Sequence, residues 1–395
     1  MKKKIVIYFF VFLLSFAFAK NVDATPVHKD IKDDVFYSVI IENLNSRNVF
    51  GKNDREVNYI VTDEELNTIT YLKIDGHQHN IEDFQGLNKL KSLRTLVLEY
   101  YLSLSKLDIS QNKELTYLRV LNANSLHDID FSNNTKLLTI DLTYTHLNSL
   151  DLKNCVELRE LRVGAGGISE SRLKYLDVSN CLKLNSIAIT GHHLESVDLS
   201  NNTNLSSVSI AFGDLKKIIL PQNSNISTLG LIVNEIESLS DITNIENQGN
   251  LKTLRLNENK IVDVNLINKL PRNIEIYLDG NNQTITLNKA SGNVKLPDLF
   301  VEAMNQDSII YARYGMDITT EGNVKASING TKVNYTNAKR GDKIIVVING
   351  NPENGFTNNG IKVTYEILTR DDYAENTKLK EKKPLLKLLL NIIDF

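Results

Sequence analysis

The two cysteines are the first candidates for chemistry. Cys155 and Cys181 are the only cysteines in 395 residues, and they fill the same place in two related stretches, "LDLKNCVELRELRV" and "LDVSNCLKLNSIAI". If such stretches stack in parallel, their Cβ atoms point the same way, which would strain a disulfide. Two thiolates also fall short of the four ligands of a structural zinc site. The sequence therefore favours buried free thiols, with a disulfide as the alternative.

Aspartates recur at one point of the related stretches and could offer a column of carboxylates to a cation. They are Asp108, Asp130, Asp151, Asp177 and Asp198. Calcium loops of the D-x-D-x-D-G kind, which combine carboxylates with a glycine, do not occur in the sequence. We therefore expect these aspartates to accept hydrogen bonds from nearby backbone N–H groups.

Histidine clusters occur at two places, His77 with His79 and His192 with His193. Neither cluster has a carboxylate or cysteine at metal-ligand spacing, so both are predicted to be solvated loop histidines. We expect no metal and no cofactor.

Catalytic motifs give no support for an enzyme. The sequence has no nucleophile elbow, no H-E-x-x-H pair and no phosphate-binding loop. It contains 48 acidic residues, and nothing singles out two of them for glycoside cleavage. We expect a protein that is not an enzyme, and a wall-active hydrolase is the less favoured alternative.

An internal repeat supplies the elements that must position these residues. Six units of about 21 residues begin at Leu104, Leu126, Leu147, Leu173, Leu194 and Leu215, with an insertion near residues 166–172. Each unit contains two L-x-x-L-x-L halves, whose alternating apolar residues indicate two extended segments per turn. A single turn cannot bury its leucines, whereas stacked turns can. The pattern predicts a mostly β leucine-rich-repeat solenoid.

One repeat position carries asparagine or cysteine in every unit and is predicted to form a structural ladder. A buried asparagine can satisfy backbone groups where the chain bends, and a small thiol fits the same space. The ladder positions are Asn112, Asn134, Cys155, Cys181, Asn202 and Asn223.

Outward-pointing aromatic and aliphatic residues form a candidate binding ridge along the strands and their exits. Exposed residues of this kind on a rigid surface suit protein recognition, and solenoids present extended binding faces. The candidate ridge residues are Tyr100, Tyr117, Leu121, Tyr144, Phe212 and Ile232.

The nested repeat resembles the two-part leucine-rich repeats of the internalin J type in Gram-positive surface proteins. Upstream, "DDVFYSVIIENLNSRNVF" and "VTDEELNTITYLKIDGHQHNIEDFQGLNKLKSLRTLVLE" are similar to an internalin N-terminal cap and its entry repeats, so the resemblance covers about residues 33–280. It implies alternation of Asn and Cys in the ladder and a surface protein that binds a host protein or glycan. It indicates the fold and a surface protein as the class, but it does not identify the ligand.

The flanking segments complete the predicted domain organisation. Three lysines, an apolar run and small residues make residues 1–24 a signal peptide. Residues 25–92 are predicted to form a helical N-terminal cap with an entry repeat. Val35 to Leu44 predicts an amphipathic helix, and Thr62 to Glu65 is a capping box that opens a second short helix through Ile69. Residues 93–282 are predicted to form the solenoid. Short alternating runs in residues 283–370 predict an immunoglobulin-like β-sandwich. Residues 371–395 are a charged and then apolar tail.

These features together predict a secreted or cell-surface bacterial protein that binds a protein or glycan ligand in adhesion or virulence. The net charge of −3 argues against nucleic acid as the partner. No L-P-x-T-G sorting signal is present, and the apolar part of the tail is too short to span a bilayer, although it could contact a membrane or a partner. A structural or self-associating surface protein is the alternative.

Overall fold

The computed structural model describes residues 31–56, 59–164, 173–261, 266, 269–271, 274–278, 281–287, 292–295, 316–329, 332–348 and 361–367. For residues 282–287, 292–295, 316–317, 348 and 361–367 it describes the backbone alone. The predicted signal peptide, the predicted tail and the insertion near residues 166–172 lie outside the described residues. The chain forms two compact units, Met1–Leu137 and Leu138–Phe395, called unit 1 and unit 2 below.

Unit 1 begins with two helices close to those that the sequence predicts. Helix α1 is Asp34–Ser46, and the carboxylate of Asp33 caps it by accepting the Phe36 N–H at 2.8 Å. Helix α2 is Asp63–Leu66 and carries the expected capping box between Thr62 and Glu65. The prediction that α2 continues to Ile69 is wrong, because both the N–H and the hydroxyl of Thr68 bind the Glu65 carbonyl and end the helix.

The strands of unit 1 run parallel and in register at the repeat spacing. Strand β1 is Tyr71–Asp75, β2 is Thr95–Glu99 and β3 is Tyr117–Leu121. Two inward columns stack through the three strands and are at most 1% exposed; they are Leu72, Leu96 and Leu118, and Ile74, Leu98 and Val120. Burying one such side chain contributes about 1.5–3 kcal/mol, so stacked turns stabilise what one turn could not.

Unit 2 contains a longer parallel sheet built in the same way. Its strands are β4 (Thr139–Thr143), β6 (Glu160–Gly164), β8 (Ser186–His192), β10 (Ser207–Gly213), β12 (Thr228–Gly230), β14 (Thr253–Arg255) and β15 (Glu275–Tyr277). They neighbour one another in chain order. One core column is completely buried; it consists of Leu161, Ile187, Val208, Leu229 and Leu254.

Shorter strands form the second extended segment of each turn in unit 2. They are β5 (Ser149–Asp151), β7 (Tyr175–Asp177), β9 (Ser196–Asp198), β11 (Lys217–Ile219) and β13 (Ile242–Thr243). Strand β5 pairs with β7, and β11 pairs with both β9 and β13, all in parallel. Two extended segments per turn match the two half-units of the sequence repeat, and the predicted mostly β leucine-rich-repeat coil is confirmed.

Two further sheets lie in the C-terminal part of unit 2. One contains β16 (Asn282–Leu287), β22 (Ile361–Ile367), β21 (Lys343–Ile348) and β18 (Met316–Glu321), and the other contains β17 (Gly292–Lys295), β20 (Lys332–Thr336) and β19 (Lys325–Asn329). The pairings are antiparallel as expected, except that β16 and β22 run parallel. The immunoglobulin-like assignment stays a prediction. Within the described part of the chain, no helix is both long and apolar enough to cross a membrane.

Candidate ligand-binding surface

A left-handed backbone recurs near the C-terminal ends of the main-sheet strands. We call the sixth residue, counted from the first residue of each such strand, the strand-exit position. The strand-exit residues with a positive φ are Tyr100 and Asn122 in unit 1, and Tyr144, Gly191, Phe212, Val233 and Glu258 in unit 2. The coil therefore bends by the same backbone device in both units, and glycine supplies it only once among the described residues.

An aromatic residue at this position has a less favourable backbone conformation than glycine would have. A residue with a Cβ in the left-handed region costs about 1–2 kcal/mol, whereas glycine adopts it freely. Tyr100 is 45% exposed, and Tyr144 and Phe212 are both 47% exposed, so almost half of the surface of each residue gains nothing from burial. These three side chains are thus placed at a strained backbone and presented to solvent.

Tyr100 is held in place by its surroundings in unit 1. Its N–H donates to the Leu121 carbonyl at 2.9 Å, and its ring lies 4.2 Å from the His77 ring, centroid to centroid. His77 in turn lies 3.3 Å from the Asp75 carboxylate. The Tyr100 carbonyl would be only 2.4 Å from a Cβ on Gly76, so only glycine fits opposite it.

The ridge residues predicted from the sequence do not share one degree of exposure. Tyr100, Tyr144 and Phe212 are exposed, whereas Tyr117, Leu121 and Ile232 are half-buried. Tyr100, Tyr117 and Leu121 belong to unit 1, and the other three belong to unit 2. We call Tyr100 the unit 1 ridge residue, and Tyr144 and Phe212 the unit 2 ridge residues.

The aspartate column has the local role that the sequence predicts. Each carboxylate accepts the N–H two residues further on, at 2.8–3.2 Å, on Ser110, Ser132, Lys153, Ser179 and Ser200. The Ser132 N–H lowers the carboxyl pKa of Asp130, and the Ser179 hydroxyl, followed by the Ser179 N–H, lowers that of Asp177. Among the described residues, no group of three His, Cys, Asp or Glu side chains could hold a metal ion.

Ladder asparagines donate to two backbone carbonyls of the preceding turn. In unit 1, the Asn112 amide binds the carbonyls of Leu87 and Leu90, and the Asn134 amide binds those of Ile109 and Asn112, all at 2.9–3.1 Å. All four bonds are buried. Each of these carbonyls also accepts one backbone N–H at the bend, so the asparagine amide supplies its second hydrogen bond.

The two cysteines occupy the same position in unit 2 as free, completely buried thiols. The Cys181 thiol donates to the Leu152 carbonyl at 3.3 Å, so it serves one carbonyl of the preceding turn where an asparagine serves two. Asn202 again serves two, on Val178 and Cys181, at 3.0 and 2.9 Å. Burial raises the pKa of both thiols to about 12.

Asn223 does not continue this pattern, and its assignment to the buried ladder is wrong. Its side chain is exposed, because the chain after Pro221 bends differently. In the next turn, the buried amide of Gln248 serves one carbonyl of the Asn223 turn and one carbonyl of its own turn. It donates to the carbonyls of Pro221 and Asn244 at 2.8 and 3.0 Å.

A second buried ladder, which the sequence interpretation missed, follows the strand-exit position in unit 2. The oxygens of Asn234 and Asn259 accept the N–H groups of Leu215 and Ile236, and Asn281 does the same for Ile261. Their amide groups donate to buried carbonyls, as Asn259 does to Leu231 at 2.7 Å. The available signal was an asparagine two residues before an aliphatic residue, in "VNEI" and "ENKI".

The histidine prediction is wrong for His192, which is completely buried. It occupies the position after the strand exit of β8, where the following turns carry Gly213 and then Asn234. His193 is half-buried, and its Nδ1 lies 2.6 Å from the Asp214 carboxylate, a partner that sequence spacing did not reveal. Lys174, His193, Glu195, Ser196 and Asp214 line a polar cavity of about 530 Å³.

Solved structures of Listeria monocytogenes internalins are similar to this chain. InlP matches with a TM-score of 0.56 at 16% identity, over 87% of this chain and 100% of that one. The internalin-like protein lmo2027 matches with a TM-score of 0.46 at 15% identity, over 85% and 97% of the two chains. The functional domain of InlJ, which includes a cysteine ladder, matches with a TM-score of 0.33 at 16% identity, over 85% and 97%.

No family model matches the chain, and no curated protein sequence matches it. At this identity the InlP comparison concerns the fold alone. It confirms the internalin-like leucine-rich-repeat architecture that the sequence predicts.

Proposed function

We propose that this protein is an exported recognition protein that binds a protein ligand through its strand-exit aromatic residues. Recognition here is by shape: the coil orders its side chains before the ligand arrives, so little conformational entropy is lost on binding. By analogy with the internalin fold, we place the ligand on a host surface and the role in adhesion or virulence, with a glycan as the alternative ligand. We propose binding rather than catalysis.

One observation carries this proposal. Gly191 occupies the strand-exit position without strain, whereas Tyr100, Tyr144 and Phe212 hold half-exposed rings at the same position of their turns. Strained backbone that persists without a gain in burial is concentrated at functional sites. Tyrosine and other aromatic residues are also the side chains enriched in interface hot spots.

The flanking segments have supporting roles in this proposal. Helix α1 buries its apolar face in unit 1, and the Asn43 amide donates to the Tyr71 carbonyl of β1 at 3.0 Å. This arrangement supports a cap that protects the first turn, as a solenoid end requires. We assign the two C-terminal sheets as an immunoglobulin-like spacer, and residues 1–24 as the export signal.

Replacing Tyr144 and Phe212 together with glycine is expected to weaken binding strongly while leaving the fold intact. Each change relieves about 1 kcal/mol of backbone strain and removes a half-exposed ring, so stability changes by less than about 1 kcal/mol per site. Loss of two hot-spot rings lowers affinity at least 30-fold, which corresponds to about 2 kcal/mol. The measurement is surface-plasmon-resonance binding of the purified chain to a panel of extracellular-matrix proteins, and flow-cytometric binding to cultured epithelial cells.

Tyr175→Ala is the matched control for this experiment. Tyr175 is 51% exposed, like the ridge residues, but lies on β7, which pairs with β5 rather than with the main sheet. Binding lost in the glycine variant and kept in the control supports the ridge as the site. Equal binding by both variants would move the site elsewhere, and an absence of saturable binding by the unaltered chain would favour self-association.

A further inference from the structure

His192 interrupts the second buried ladder of unit 2. In the following turns an asparagine oxygen accepts the N–H group of the preceding turn, as Asn234 does for Leu215 and Asn259 does for Ile236. The same role for Leu194 would fall to residue 213, which is glycine. The Leu194 N–H instead donates to Nδ1 of His192 at 3.2 Å.

The imidazole ring takes the space that a side chain at residue 213 would occupy. Strands β8 and β10 pair His192 with Gly213. A Cβ built on Gly213 would lie 2.2 Å from Cε1, 2.4 Å from Nδ1 and 2.5 Å from Nε2 of the ring. His192 and Gly213 therefore depend on each other: the histidine ring replaces the asparagine of the ladder, and only glycine at 213 leaves room for it.

The hydrogen bonds around His192 fit the neutral imidazole ring and not the protonated one. Because Nδ1 accepts from Leu194, the ring proton belongs on Nε2, and Nε2 is buried without a hydrogen-bond partner among the described residues. A proton on Nδ1 would face the Leu194 N–H donor and break that bond. Burying a polar group without a partner is costly, and burying a charge is more so.

Nearby charges do not compensate a protonated ring. The groups that act on His192 electrostatically are Asp214, which favours protonation, and His193, which opposes it. Asp214 is already paired with His193 at 2.6 Å. Burial dominates and, against these smaller effects, lowers the pKa of His192 to about 4 from an ordinary value of 6.5.

We propose that the His192–Gly213 pair is an acid-sensitive switch that opens the exits of β8 and β10 when the histidine is protonated. The segment that opens includes Phe212, whose N–H is held by the Ile232 carbonyl at 2.9 Å. Acid would thereby loosen a unit 2 ridge residue and weaken ligand binding. This last consequence rests on the proposed function, whereas the opening itself does not.

Hydrogen exchange of the full chain at pH 7 and pH 5, corrected for intrinsic rates, tests the opening. A histidine that titrates near 4 when closed and near 6.5 when open makes opening roughly 20-fold more favourable at pH 5. We expect protection of the backbone N–H groups of Phe212, Gly213 and Leu215 to fall by that factor. The N–H groups of Leu231 and Ile236, in the intact ladder, serve as the internal reference.

Two variants separate this switch from general acid sensitivity. The double variant His192→Ala/Gly213→Asn rebuilds the asparagine ladder, and Gly213 lies outside the left-handed region, so asparagine can adopt its backbone. His192→Gln keeps a neutral amide at the original position. Both should lose the 20-fold response. A response in the variants as large as in the unaltered chain, or none in the unaltered chain, would overturn the proposal.

Ligand binding at the two pH values tests the coupling to Phe212 separately. Weaker binding at pH 5 that disappears in His192→Ala/Gly213→Asn supports it, with the matrix-protein panel as the probe. An exchange response without any pH dependence of binding would leave the switch in place and refute its role in recognition.

Discussion

Replacing Glu65 with alanine is expected to lower the free energy of unfolding of unit 1 by about 3–5 kcal/mol. The Glu65 carboxylate lies 2.9 Å from the Arg55 guanidinium, and the two side chains are only 3% and 1% exposed. It also accepts the Tyr59 hydroxyl at 2.9 Å and the Thr62 N–H at 3.1 Å. Removing it leaves a buried guanidinium without its counter-charge, which costs far more than losing a surface ion pair.

Hydrogen exchange in α1, together with urea unfolding followed by circular dichroism, measures this effect. Glu64→Ala is the matched control, because Glu64 precedes Glu65 in α2 and is exposed; its change should stay within about 0.5 kcal/mol. The double replacement Arg55→Met/Glu65→Leu should recover much of the loss, since an apolar pair leaves no buried charge. Equal effects of Glu64→Ala and Glu65→Ala would contradict the assigned role.

Acid should weaken unit 1 through the same carboxylate. Burial alone would raise the pKa of Glu65, but hydrogen bonds from Thr62, Arg55 and Tyr59 outweigh it and hold the pKa below its ordinary value. A carboxyl whose pKa is lower in the folded state contributes stability that is complete above the unfolded pKa. That contribution is lost as the pH falls through the folded pKa, and Glu65→Ala should not show this loss.

The second large effect is expected at Asn202 in unit 2. Asn202→Ala removes two buried hydrogen bonds, to the Val178 and Cys181 carbonyls, and leaves a cavity. Each carbonyl keeps one backbone partner, the N–H of Cys181 or Leu184, so the penalty is moderate for each. We expect a loss of about 2–3 kcal/mol in the free energy of unfolding.

Asn202→Cys provides the comparison that the chain itself suggests. Cys181 already fills the equivalent position and donates its thiol to the Leu152 carbonyl. The cysteine variant should therefore lose about half as much stability as the alanine variant. The measurement is the free energy of unfolding of both variants, from urea unfolding under reducing conditions. A cysteine variant as unstable as the alanine variant would show that cysteine cannot replace asparagine in the ladder.

The sequence predicts the coil well because the leucine periodicity and the burial pattern have the same cause. Leu161 and Ile187 recur at the repeat spacing and are completely buried in neighbouring strands. Local capping chemistry was equally readable, since the Thr62–Glu65 box needs only residues three apart. The Asp130 and Asp177 bonds to neighbouring N–H groups are local in the same sense.

Features that depend on a neighbouring turn were less accessible to sequence interpretation. His192 was predicted to be solvated because nothing in its own segment shows that Gly213 leaves room for its ring. Asn223 was assigned to the ladder by its place in the repeat, yet its side chain is exposed, and the Gln248 amide of the next turn binds the Pro221 carbonyl two residues before it. The left-handed backbone of Phe212 was also invisible, because the same turn position accepts both aromatic residues and glycine.

The buried thiols give this protein an intrinsic reporter of its own opening. Cys155 and Cys181 are the only sulfhydryl groups in the chain, and both are shielded, with pKa values of about 12. An alkylating reagent reacts with the thiolate, so neither group is labelled while its turn is closed. The rate of alkylation therefore reports how often these two turns open, and the wild-type sequence needs no added probe for this measurement.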